Sequence, residues 1–283
     1  MADTALTLMA VHAHPDDEAI GTGGTLVRYA AEGVQTVLVT CTDGAVGEIA
    51  DPAVATPKNL AAVRARELRA AADILHVTAL HCLGYRDSGM MGTPENDDPR
   101  CFWQADLDEA TGRLVALIRQ HRPQVLVTYD ENGFYGHPDH IQTNRITVAA
   151  YHAAGDPARY PDRGEPWAPS KLYYTAVPIS RLVEFGRRLR ALDIEAPFGE
   201  SAADSQFGTP DERIAAEIDA RPYALAKREA LVVHRSQIGV NNFFLALPPP
   251  VWEETMGTEY FERPISAVPA AHHEDDLFAG LRG

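Results

Sequence analysis

Four times in its first ~150 residues this chain passes from a short apolar segment into a stretch with helical spacing. The segments ALTLMAVHAH (5–14), QTVLVTCTDG (35–44), TALHCLGY (78–85) and QVLVTYD (124–130) are apolar and β-branched enough to be buried strands. Each is followed by a helix candidate, at 24–34, 59–77, 106–123 and 137–155. Gly33 and Pro123 supply stop signals, Asn59 is a candidate N-cap, and Pro138 falls in a first turn, where proline is tolerated. Alternation of this kind specifies an α/β fold with a doubly wound, mostly parallel, Rossmann-like sheet and right-handed crossovers. Ligands of such sheets bind beyond the carboxyl ends of the strands. The charged stretches HAHPDDE, TDGAVGE, GYRDSG and YDENGFYGHPDH all follow strand candidates, so the fold gathers them on one rim.

Beyond residue 155 the pattern is less regular. A proline-rich stretch precedes a strand at Lys171–Val177, and helices are expected over 180–193 and 222–237. PPPVWEETMGTEYFERP (248–264) and the acidic HHEDD (272–276) read as surface or lid segments. Residues 1–160 are expected to form the α/β core. Residues 161–283 continue the same domain as a smaller C-terminal elaboration over the rim, carrying lid and specificity segments. A net charge of −15 argues against nucleic acid or an anionic membrane as partner. Cys41, Cys82 and Cys101 form no CxxC and no disulfide framework, which points to the cytoplasm. The first fourteen residues lack a basic segment leading into an apolar one, and no run reaches the ~18 apolar residues of a spanning helix.

The stretch AVHAHPDDEAIGTGG places several ionisable groups at the end of a buried strand, a costly arrangement unless they are paired or bind a metal. At the strand-to-helix switch His14 and Asp17 face one point, with Asp16 between them aimed elsewhere. HPDH (137–140) repeats this grammar with His137, Asp139 and His140. One ligand from it completes two histidines and a carboxylate with a position left open, the usual arrangement of catalytic zinc. Zinc lowers the pKa of its bound water toward about 7 and polarises a carbonyl, and Asp16 is placed by adjacency to act as general base. The same donors fit a non-haem iron(II) triad, and nickel or cobalt. An iron oxygenase is the reading from a different class, but its usual jelly roll is not what the alternation specifies. A metal-binding module without catalysis is a third reading, and the intact base and histidine candidates argue against it.

HAHPDDE and GHPDH together resemble the paired signatures of the LmbE-like, or PIG-L, zinc-dependent N-deacetylases. The similarity continues through TDGAVGE, RARELRAAADIL, GYRDSGM, VTYDENGFYGHPDH and HRSQI, over most of the chain. Within the family, RDSGMMGT resembles the N-acetylglucosaminyl-inositol deacetylases of the mycothiol pathway. YHAAGDPARYPDRGEPWAPSKLYY and EYFERP…DLFAGL are more similar to mycothiol S-conjugate amidases, whose lysine after the aspartate pair has no counterpart in DDEAIGTGG. A secondary-metabolite deacetylase shares the same plan. The resemblance implies a hydrolase of an amide on an amino sugar, with one Zn2+ per chain held by His14, Asp17 and His140. It implies Asp16 as general base, and His137 as proton donor to the leaving amine or support for the oxyanion, oriented by Asp139. Tyr135 would hydrogen-bond the oxyanion, and Arg64, Asp87 and Glu48 would lie against the sugar or inositol.

Other residues have plainer readings. His12 packs beneath the site, and Glu18 is a carboxylate at a helix N-terminus. His234 and Gln237, in VHRSQ, are chiefly packing at a helix end. His272 and His273 are solvated. Phe102 and Trp103 sit in the 89–106 loop, either as a lid or as packing. The expected partner is a small amino-sugar molecule, and a sheet edge or C-terminal arm could serve a homo-oligomer.

Overall fold

The computed structural model describes residues 5–194, 208–239 and 242–282. Met1–Thr4, on which part of the leader reading rests, lie outside it, as does part of the C-terminal elaboration. In chain order the elements are β1 (Thr7–His12), α1 (Asp17–Gly21), α2 (Gly23–Ala31), β2 (Gln35–Thr42), α3 (Leu60–Ile74), β3 (Ala79–Tyr85), α4 (Leu107–His121), β4 (Val125–Thr128), the single turn α5 (Gly133–Gly136), α6 (Pro138–Ala153) and β5 (Lys171–Ala176). Then come α7 (Ile179–Arg190), β6 (Ala216–Asp219), α8 (Ala224–Val232), α9 (Phe243–Ala246), α10 (Pro249–Met256) and β7 (Thr258–Ser266).

The strands form one seven-stranded sheet in the order β3-β2-β1-β4-β5-β7-β6. The first five are parallel, as the alternation requires, and β7 runs antiparallel between β5 and β6. All six residues of β1 are buried, because helices cover both faces of the strand. Leu8 and Ala10 pack with Leu26, Tyr29, Leu68 and Leu231 on the side of α2, α3 and α8. Met9 and Val11 pack with Leu114, Ile118 and Ile146 on the side of α4 and α6. Burying one such Leu or Ile side chain is worth about 1.5–3 kcal/mol. The strand order reverses between β1 and β4, which opens a crevice at their carboxyl ends.

Several local expectations are corrected. Asn59 precedes α3 but does not cap it, because its Oδ1 accepts from the Thr56 N–H (2.7 Å) and hydroxyl (3.0 Å). The 248–264 stretch is not a surface segment: Trp252 is buried in α10 and Phe261 in β7, while Met256, Thr258 and Tyr260 line a cavity. A strand flanked by neighbours on both sides was hidden by its charged alternate residues. HHEDD divides: His272 and His273 are exposed, but Glu274 is buried. Its carboxylate meets Lys171 (2.9 Å), Arg263 (2.6 Å) and the Tyr173 hydroxyl (2.5 Å). The proline-rich connection after α6 wraps the buried Arg119, whose guanidinium donates to the carbonyls of Ala154, Asp156, Arg159, Tyr160 and Gly164. In the 89–106 loop Phe102 is packing, stacked on Tyr85 with centroids 4.8 Å apart. Among the described residues no helix is long and apolar enough to cross a membrane.

Burial works against ionisation of Glu274, but hydrogen bonds from Tyr173, Lys171 and Arg263 hold its carboxyl below the ordinary range. A carboxylate with a lowered folded-state pKa stabilises above its unfolded value and releases that stability as pH falls through the folded one. Glu274→Ala leaves Lys171 buried without its counter-charge and is expected to cost about 3–5 kcal/mol in urea unfolding at pH 7. The gap to the native chain should narrow below pH ~4. A loss under about 1 kcal/mol at neutral pH would contradict this role.

Candidate metal centre

The crevice at the ends of β1 and β4 is where the two H-P-D clusters meet. β1 runs out at His12, and the chain then turns through Ala13–Asp16 into α1. Asp17, at the first position of α1, accepts the His14 backbone N–H at Oδ2 (2.8 Å), which fixes both side chains relative to each other. Tyr129, the residue after β4, donates its hydroxyl to the same Asp17 oxygen (2.7 Å) and accepts the Ala13 N–H (2.8 Å). Pro138 starts α6, which carries Asp139 and His140 on its first turn, and the His140 ring stacks on Tyr129 at 4.1 Å.

Three donor atoms result: His14 Nδ1, Asp17 Oδ2 and His140 Nε2. Their separations are 3.4, 3.5 and 3.3 Å. Ligands about 2.0–2.2 Å from a tetrahedral metal stand roughly 3.3–3.6 Å from one another, so the triangle has the size of one face of such a site. His14 Nε2 lies 3.1 Å from Asp139 Oδ2, which places the ring proton there and leaves the Nδ1 lone pair facing the other two atoms. Where the three atoms present lone pairs, a cation between them relieves their repulsion. The His14 ring shows the same demand: burial disfavours its charge, yet Asp139, Asp17 and Asp87 raise its pKa well above the ordinary value. The residues therefore fit a divalent metal, and two imidazoles with one carboxylate suit late first-row ions better than calcium or magnesium. His137 lies within 4.8 Å of His14 and His140 through its ring nitrogen, beside the triangle.

Behind the ligands, Asp139 is fully buried. Its carboxylate accepts the Ser88 N–H (2.9 Å) and the Ser88 hydroxyl in addition to holding His14. This is the carboxylate–histidine–metal arrangement, one step longer than the sequence reading. That reading had Asp139 orienting His137. The Asp139 backbone N–H does so instead, donating to His137 Nδ1 (3.2 Å), while its side chain serves His14. His137 therefore keeps its proton on Nε2. Burial, with His14 and His140 nearby, pushes its pKa down to about 3.

A cavity of about 660 Å³ opens from the triangle, walled by Asp16, Glu48, Arg64, Asp87, Tyr135 and His137 among others. All the sequence candidates except Asp139 reach it. Asp16 has φ 131° and ψ −27°, a region costing a non-glycine residue about 1–3 kcal/mol. Burial raises its carboxyl to about 6 against the opposing charge of Arg64. In Asp17 burial is outweighed by His140 and His14, which hold the carboxyl well below the ordinary range. Arg64 is buried and mostly committed to the protein: it donates to the carbonyls of Gly44 (3.0 Å) and Pro15 (2.7 Å) and lies 3.2 Å from Asp16 Oδ1. It braces Asp16 as much as it faces the cavity. Asp87 accepts the N–H groups of Gly89 (2.8 Å) and Val46 (3.3 Å). Tyr135 is half-exposed, beside the His140 ring at 5.0 Å.

His12 packs beneath the centre as expected, between Thr22 Oγ1 (2.8 Å) and the Tyr129 hydroxyl (3.2 Å). Glu18 is at the start of α1 as expected, but it is also fully buried against His234 (2.7 Å). Tyr129 and Ser88 were missed. Their one signal was position, directly after a strand or beside Asp87 on the same rim.

Residues 9–151 match the family described as PIG-L, GlcNAc-PI de-N-acetylase. The chain is 48% identical over 288 residues to the 1D-myo-inositol 2-acetamido-2-deoxy-alpha-D-glucopyranoside deacetylase of Geodermatophilus obscurus, covering 98% of each. It also resembles solved structures at lower identity. One is the N,N'-diacetylchitobiose deacetylase of Pyrococcus horikoshii, 21% identical with a TM-score of 0.62, covering 92% of this chain and 83% of that one. Another is the 4-carboxy-2-hydroxymuconate hydratase GalB of Pseudomonas putida, 17% identical with a TM-score of 0.62, covering 94% and 99%. These last two speak for the fold alone.

Removing the support behind His14 should weaken the centre without touching a ligand. Asp139→Ala is expected to lower zinc affinity about 10–100-fold, and Ser88→Ala by a smaller factor in the same direction. Competition against a chromophoric chelator measures both. Unchanged affinity in Asp139→Ala would contradict the assigned support.

Proposed function

The chain belongs to the PIG-L family of de-N-acetylases, and from that premise we propose that it hydrolyses the acetamide of an N-acetylglucosamine-type glycoside, with N-acetylglucosaminyl-inositol as the leading substrate. The observation that carries this reading is the tetrahedral-sized triangle of His14, Asp17 and His140 at the mouth of a cavity with Asp16 on its wall. We read the metal as one Zn2+ per chain, since two imidazoles, one carboxylate and an open fourth direction are its usual catalytic set. Iron(II) or another divalent ion fits the same donors. When bound, the metal polarises the amide carbonyl and makes a nucleophile available at neutral pH.

The chain's own residues supply the rest. Asp16 takes a proton from the attacking water as general base, braced by Arg64 on one carboxylate oxygen. His137 presents Nε2–H toward the carbonyl oxygen because its Nδ1 is occupied by the Asp139 N–H. Neutral His137 cannot release that proton without becoming an imidazolate, so the proton for the leaving nitrogen is the one Asp16 has taken from the water. Tyr135 adds a second donor at the cavity mouth. Arg64, Asp87 and Glu48 form the polar end of the cavity, suited to sugar or inositol hydroxyls. Three free thiols support a cytoplasmic setting.

One observation favours a second reading within the same chemistry. Much of the cavity wall is apolar, with Ile20, Val177, Leu182, Phe244 and Met256 beside Arg181, Lys227 and Glu259. Such a wall suits a bulkier group than acetyl-sugar-inositol carries, as in a mycothiol S-conjugate amidase or a secondary-metabolite deacetylase. The iron oxygenase reading finds no jelly roll to stand on.

Acetate release from N-acetylglucosaminyl-inositol, measured beside amide cleavage of a mycothiol S-conjugate, separates these readings. The expected result is a higher kcat/KM for the first. Preference for the conjugate would move the assignment to the amidase, and no turnover of either would overturn it. Asp16→Asn is expected to retain its metal and lose kcat by about 10²–10⁴-fold. Near-native kcat in a metal-loaded Asp16→Asn protein would remove Asp16 from its role. Tyr135→Phe should lower kcat by about 10–100-fold with little change in KM, and an effect on KM alone would assign Tyr135 to substrate binding instead.

A further inference from the structure

The segment VHRSQI after α8 is not absorbed by the proposed chemistry, yet its histidine is among the most enclosed titratable groups described. His234 is fully buried, and its Nε2 lies 2.7 Å from Glu18 Oε1, itself fully buried. Glu18 Oε2 accepts the backbone N–H of Asp16 (2.9 Å). The Asp16 carbonyl in turn accepts the Ala19 N–H (3.1 Å). The peptide that these bonds pin is the one forced to φ 131°. A non-glycine residue holds such a conformation only when its surroundings over-determine it.

The turn that follows the histidine is held from α3. Glu67 accepts the Ser236 N–H (2.8 Å) and hydroxyl (2.6 Å), and the Ser236 carbonyl accepts the Ala50 N–H (2.8 Å). Glu67 lies one helical turn beyond Arg64, the residue that grips the Asp16 carboxylate and the Pro15 carbonyl. One helix therefore secures Asp16 from both sides: Arg64 directly on its carboxylate, and Glu67 through Ser236, His234 and Glu18 on its backbone.

We propose that His234 is a positioning residue for amide hydrolysis: acting through Glu18, it fixes the strained Asp16 backbone and so aims the general base. The metal ligands are not its target, because Asp17 is already fixed by the His14 N–H and the Tyr129 hydroxyl. The inference rests on the deacetylase reading.

The test compares native protein, His234→Ala, His234→Gln and Glu18→Gln, each assayed with N-acetylglucosaminyl-inositol and normalised to metal-loaded protein. His234→Ala should lose kcat about 10–100-fold with KM within about two-fold and zinc affinity unchanged. His234→Gln, whose amide can still donate to Glu18, should recover kcat to within about three-fold of native. Glu18→Gln should fall between them. In metal-free protein the Asp16 amide resonance should shift in His234→Ala and return in His234→Gln, a readout independent of turnover. Native kcat in His234→Ala would overturn the proposal, as would a loss confined to zinc affinity or an unmoved Asp16 amide. If His234→Ala does not fold, a His234→Gln protein that folds but shows an unmoved Asp16 amide and deep kcat loss overturns it equally. Failure of native protein to release acetate would instead strike the deacetylase reading, with the Asp16 amide shift still deciding the role of His234.

Discussion

Three buried or half-buried carboxylates, Asp17, Asp87 and Asp139, converge on His14 and its neighbour His140 at the end of β1, and a fourth, Asp16, lies beside them against Arg64. A low-dielectric crevice tolerates that much negative charge only when cations stand among it. Arg64 supplies one, fixed in the wall against Asp16. The metal we propose among His14, Asp17 and His140 would supply the other. Most of the site's construction follows from keeping these charges apart in function while close in space. Asp17 is held facing His14 and His140 by a backbone N–H and a tyrosine hydroxyl, and Asp139 is tied behind His14 by Ser88. Asp16 is turned away from both by a backbone conformation that only its neighbours make tenable.

The fold brings these groups together through topology. His14 and His140 are 126 positions apart in the chain but follow adjacent parallel strands at the point where the strand order reverses. That point is the natural ligand crevice of an open α/β sheet. The scaffold does not select the chemistry, since a hydratase and a deacetylase both resemble this fold. In the present chain that crevice carries the donor triangle with a strained carboxylate beside it.

The parallel half of the sheet was legible because each of its strands is a continuous apolar run followed by a periodic helix. The meeting of His14, Asp17 and His140 was legible because H-x-x-D at a strand end and H-P-D-H at a helix start constrain where side chains point. The antiparallel strand β7 was not, because TEYFERPIS alternates charge with apolar residues and looks solvated until β5 and β6 flank it. Glu274 was unreadable for a similar reason: an acidic tail becomes a buried counter-ion only once Lys171 and Arg263 are placed against it. The division of Asp139 between a side chain for His14 and a backbone N–H for His137 is invisible to spacing, since one residue contacts two partners through different atoms. Arg64 was assigned to the sugar from similarity alone, and its brace on Asp16 emerges only from the approach of α3 to the loop after β1.

If one divalent metal held by His14, Asp17 and His140 makes this crevice a hydrolase, activity must follow occupancy of that single position. Metal-stripped protein titrated with Zn2+, with acetate release from N-acetylglucosaminyl-inositol followed, should show no turnover without metal and a linear rise that breaks at one equivalent per chain. Turnover by the metal-stripped protein, or a break at two equivalents, would mean that a single metal at this triangle is not what drives the reaction.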